Sequence, residues 1–98
     1  MVNDPLDSLR NRFLARCREQ LPLLGDMVRR EGTDGDVRET LVRTVHSLAG
    51  AGGTFGFSEV SHLASHLEAL LTGENGVGEG DIRAALNALI AELERVAG

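Results

Sequence analysis

Lysine, tryptophan and tyrosine are absent from this 98-residue sequence, and cysteine occurs once, as Cys17. A single thiol forms no internal disulfide and offers a metal no second sulfur, which fits a reducing compartment and points to the cytoplasm. Cys17 itself reads as a small core-facing residue. With Phe13, Phe55 and Phe57 as the only aromatic residues, base-stacking platforms and aromatic cages are missing. All ten basic residues are arginines, scattered along a chain of net charge −5, so no basic stripe awaits a phosphate backbone and a nucleic-acid partner is not expected. No apolar run approaches the roughly 20 residues that span a bilayer, and "MVNDPLDSLRNRF" lacks the basic-then-apolar layout of a signal, so no membrane role is expected. No segment alternates apolar and polar residues long enough to form a strand.

What is present is helical. Hydrophobic residues make up 42% and charged ones 26%, the balance of a globular chain with a modest core, and we read residues 1–98 as a single domain. The first block has Asp4 as N-cap and Pro5 in its first turn, with Leu6, Leu9, Phe13, Cys17, Leu21, Leu24 and Met27–Val28 at helical spacing. It runs to about Glu31, with a kink or break expected near Pro22, and "EGTDGD" ends it. A second block from Asp36 to about Phe55 sets Val37, Leu41, Val45, Leu48 and Phe55 on one face. Ser58 then caps a third, whose stripe is Val60, Leu63, Ala64, Leu67, Leu70 and Leu71 and whose end is Thr72–Gly73. After the turn-rich "GENGVGEG", a fourth begins near Asp81 and buries Ile82, Leu86, Leu89, Ile90, Leu93 and Val96. Four amphipathic helices with mostly short links predict an all-α antiparallel four-helix bundle, monomeric because its stripes satisfy one another.

The second block contains "TVHSLAGAGGTFGF", with one histidine and four glycines. Each interior glycine costs a helix about 0.5–1 kcal/mol relative to alanine. At about 100° per residue from Val37, the apolar residues fall within roughly 0–80° and His46 at about 180°, away from the core. Its neighbours on that surface are Arg43, Ala49, Gly50 and Gly53. The two glycines among them clear space over the imidazole for another body. The alternative is that Gly50, Gly52 and Gly53 serve tight helix packing or mark a frayed end.

His46-Ser-Leu48-Ala-Gly50, followed by Gly56, resembles the H-x-L-K-G-x5-G signature of histidine-containing phosphotransfer domains, and Leu63, Ala64, Leu67 and Glu68 resemble that family's L-A-x-x-L-E segment. The resemblance implies a four-helix bundle whose exposed histidine, here His46, takes a phosphoryl group from the aspartyl phosphate of a response-regulator receiver domain and passes it to another. A hybrid histidine kinase is a further partner it admits. Gly50 carries over as the position leaving room for the receiver, Leu48 as core and Gly56 as the turn ending the helix. The family's lysine is replaced by Ala49, and Arg43 on the same face offers a substitute fork for phosphate oxygens.

A neutral imidazole is a sufficient nucleophile near pH 7, and phosphoryl transfer asks mainly for positioning and charge stabilisation. The sequence has no P-loop, no nucleotide motif and no carboxylate cluster for magnesium on the His46 face, so the chain reads as a carrier rather than an enzyme, without a cofactor of its own and with magnesium held by the receiver. Two other readings compete. His62 and His66 stand four apart on the third helix, with Glu59 one turn before, a spacing that lets imidazoles share a metal. Alternatively the bundle is a purely structural interaction module.

Overall fold

A computed structural model describes residues 5–29, 35–73 and 79–97. They form α1 (Pro5–Arg29), α2 (Gly35–Thr54), α3 (Ser58–Thr72) and α4 (Glu79–Ala97), with no strand among them. Each helix buries one stripe, and the core is wholly apolar among the described residues: Phe13, Cys17 and Leu24 from α1, Leu41, Val45 and Leu48 from α2, Val60, Ala64, Leu67 and Leu71 from α3, and Ala85, Leu86, Leu89, Leu93 and Ala97 from α4. The chain is thus the all-α four-helix bundle its periodicity predicts.

Polar contacts fix the directions of the helices. Arg38 near the start of α2 donates to the Leu71 carbonyl at the end of α3 (3.1 Å), and Ser61 at the start of α3 donates to the Ala49 carbonyl of α2 (2.8 Å), so these helices run antiparallel. Arg10 of α1 donates to the Phe55 carbonyl just past α2 (3.0 Å), and Arg18 donates to the Ala97 carbonyl at the end of α4. The α2–α3 interface is the largest and the α1–α2 seam the sparsest.

Several local expectations are corrected. Leu6 and Leu9, assigned to the core stripe, are 43% and 41% exposed, as are all side chains from Pro5 to Arg12. The stripe is in register, but α4 ends opposite Arg18, two turns short of Leu9, so α4 does not reach Leu6 and Leu9 to cover them. α1 does not break at Pro22; it continues to Arg29, the exposed ring lying on the outside of the helix. Ser58 is the first helical residue of α3 and not its cap. Phe57 occupies the cap position without a side-chain bond, and its ring stacks on Phe13 at 5.2 Å, with Phe55 at 5.9 Å on the same ring. Aromatic packing under the α2–α3 turn has replaced hydroxyl capping there. α4 begins at Glu79, two residues before Asp81. The Asp4 cap, the side chains of Val28 and Val37, and most of "EGTDGD" and "GENGVGEG" lie outside the described residues.

Gly56 has φ +86°, the one left-handed residue described, and it turns the chain between α2 and α3. A side chain there would strain the backbone.

Candidate functional site

His46 lies in the middle of α2, on the face opposite Val45 and Leu48, and its side chain is 76% exposed. One ring edge is held. Nδ1 lies 2.8 Å from Oε2 of Glu68 on α3. A carboxylate has only acceptor sites, so Nδ1 is the donor in this contact, and in the neutral ring the lone pair is then on Nε2. Helix geometry explains the meeting: α3 crosses beside α2 in antiparallel sense, and Glu68 and Ser61, two turns apart on α3, both face α2.

The glycines divide between the two roles their spacing left open. A Cβ on Gly50 would meet nothing within 4 Å, so the surface one turn beyond His46 is bare. On Gly52 it would press the Ser61 nitrogen at 3.2 Å and the Phe57 carbonyl oxygen at 3.3 Å. Gly52 is what lets the start of α3 pack closely on α2. Gly53 is exposed, yet its Cβ would face the Ser61 hydroxyl at 3.3 Å, so it borders α3 and not open solvent. Ala49 is half-buried and packs on the core edge.

Two arginines border this surface, Arg43 within α2 and Arg16 from α1. Arg43, one turn before His46, is exposed, and no side chain among the described residues pairs with it. Arg16 reaches across from α1 and donates to the Ser47 hydroxyl at 2.6 Å, beside His46 in sequence. Arg12, one turn before Arg16, is exposed and likewise unpaired among the described residues. The positions of Glu68 and Arg16 escaped a reading of α2 alone. Glu68 closes the L-A-x-x-L-E segment, which offered a signal; Arg16, inside an ordinary amphipathic helix, offered none.

His62 and His66 are exposed on α3, on a different face from Glu68, and no group of three or more His, Cys, Asp or Glu side chains suited to a metal occurs among the described residues. Cys17 is fully buried, and burial pushes its thiol up to about 11, against the opposing pull of Arg16 and Arg18. It is a protonated core residue at neutral pH. No described helix is long and apolar enough to cross a membrane.

An isolated, exposed imidazole on a helix face, oriented by one carboxylate and bordered by bare backbone, suits a group that is loaded and unloaded by larger partners. No curated protein and no solved structure matches the chain significantly. The family model for the Hpt domain matches residues 8–97, from the first turns of α1 to the last residue of α4. The chain therefore belongs to the Hpt domain family, the phosphocarrier modules of phosphorelays, which work with response-regulator receivers.

Proposed function

We propose that this chain is a phosphoryl carrier that takes the group on Nε2 of His46 from the aspartyl phosphate of one receiver domain and gives it to another. The observation that carries this reading is a 76% exposed His46 side chain whose Nδ1 is held at 2.8 Å by Glu68, next to the open surface at Gly50. In the forward step the Nε2 lone pair attacks phosphorus, the P–O bond to the receiver's aspartate breaks, and its electron pair returns to that carboxylate. The imidazole becomes cationic with its proton still on Nδ1, and Glu68 is the counter-charge facing that proton. Transfer onward reverses these changes. An orienting carboxylate of this kind favours the attacking tautomer and the charged product ring without itself taking the proton.

The receiver supplies the magnesium and most of the catalytic groups, so the chain needs neither cofactor nor enzymatic activity of its own. Gly50 leaves space for the partner's backbone, and Arg43 stands ready for phosphoryl oxygens in place of a lysine at Ala49. We place the carrier in the cytoplasm, as a monomer. Incubation with phosphoramidate, read by intact mass, tests the reading. One phosphoryl group, lost in acid and kept in alkali, is expected on the wild type and not on His46→Gln. An adduct that persists in His46→Gln points to His62 or His66 and refutes it. Retained receiver binding with no phosphate acceptance would instead fit a structural module.

A further inference from the structure

We propose that Arg16 of α1 is the residue that meets the phosphoryl group on His46, exchanging its hydrogen bond to Ser47 for phosphoryl oxygens; this rests on the carrier reading above. A phosphoryl group brings close to two negative charges to a surface where Glu68 already sits against the ring, in a chain of net charge −5. Because Nδ1 points to α3, a group on Nε2 lies on the other side of the ring, away from Glu68. α1 borders α2 on that other flank. The contacts of α2 record this: His46 and the Ala49 carbonyl meet α3, whereas Ser47, about 100° around the helix from His46, meets Arg16.

Arg16 is suited to the role by what it does at rest. Its only polar partner among the described residues is a neutral hydroxyl, so its charge is not neutralised there, and four of its five N–H donors are unused. Its segment is strongly positive: Arg10, Arg12, Arg16 and Arg18 fall within nine residues that contain no carboxylate. Anchoring at Ser47, the residue after His46, fixes the guanidinium on this flank of α2 before any phosphate arrives, which reduces the ordering cost of a new contact. Arg43 is less prepared, since no contact among the described residues anchors it. The exchange also has a mechanical consequence. It would replace the neutral contact that ties α1 to α2 across the sparsest seam of the bundle with a charged one when His46 is loaded.

The rate of acceptance from phosphoramidate tests the proposal without any partner protein: the donor's P–N bond breaks as ammonia leaves, and the bond from phosphorus to Nε2 forms. Arg16→Gln should lower the rate about five- to tenfold, Arg16→Lys should restore part of it, and Arg12→Gln should stay within about twofold of wild type. Ser47→Ala separates the roles. It removes the resting bond but leaves Arg16, so acceptance stays within about twofold if Arg16 serves the phosphoryl group. A rate unchanged in Arg16→Gln, or a loss in Ser47→Ala equal to that in Arg16→Gln, overturns the proposal. If wild type accepts nothing from phosphoramidate, the carrier reading loses its support, and titration with inorganic phosphate then judges Arg16 separately. A saturable shift of the Arg16 side-chain N–H resonance, larger than that of Arg12, retains it as the anion-binding residue. Equal shifts for the two arginines overturn it.

Discussion

Nδ1 of His46 and Oε2 of Glu68 lie 2.8 Å apart, joining the centre of α2 to the last turns of α3 at the surface of the bundle. In the proposed carrier this contact sets which ring nitrogen is the nucleophile and stabilises the positive ring that forms on phosphorylation of Nε2. Removing a hydrogen bond to a charged group costs about 1.5 kcal/mol or more, or roughly tenfold in rate. Glu68→Ala is therefore expected to slow acceptance from phosphoramidate about tenfold, and Glu68→Gln by less, because the amide oxygen still accepts from Nδ1–H. Single-turnover mass measurements check the order. Equal rates in wild type and Glu68→Ala would show that the carboxylate plays no part.

Gly50 and Gly52 should respond oppositely to the same substitution. At Gly50 there is open space, so Gly50→Ala gains helix propensity and should stabilise the fold by about 0.5–1 kcal/mol. At Gly52 the new methyl presses the backbone of Ser61 and Phe57, so Gly52→Ala should destabilise by about 1–3 kcal/mol as α3 is pushed from α2. Urea unfolding of the two variants gives the signs. A bulkier Gly50→Leu should leave phosphoramidate acceptance intact while slowing transfer from a receiver.

Cys17 gives the fold an alkaline limit. Its thiol is raised from about 9 to about 11 by burial, so the folded state prefers the neutral form. The stability this contributes is fully present below the unfolded pKa and is lost as pH rises from about 9 towards 11, roughly 2 kcal/mol by the upper end. With no lysine or tyrosine in the chain, few other groups titrate in that window. Urea midpoints at pH 8 and pH 10.5 should diverge in wild type and much less in Cys17→Ala.

The helices and their buried faces were legible because a period near 3.6 reports which side of a helix meets the core, and Phe13, Val45, Leu67 and Leu89 all lie where that period puts them. Length was less legible: Leu6 and Leu9 keep the pattern, but nothing in α1 tells that α4 stops opposite Arg18. Pro22 was overread as a possible break because the lost backbone bond and the ring clash are local, while the packing of Cys17 and Leu24 on either side holds the helix in one piece. The exposure of His46 followed from the same wheel. Its contact with Glu68 did not, since side chains 22 residues apart meet only through the packing of α3 on α2.

The most direct test locates phosphorus on the ring. After loading with phosphoramidate, long-range ¹H–¹⁵N correlation of the imidazoles reports which nitrogen of which histidine carries the group. The expected result is a single phosphohistidine at Nε2 of His46, with its Nδ1 protonated. Phosphorus on Nδ1 of His46, or on His62 or His66, would contradict the role assigned to the His46–Glu68 pair.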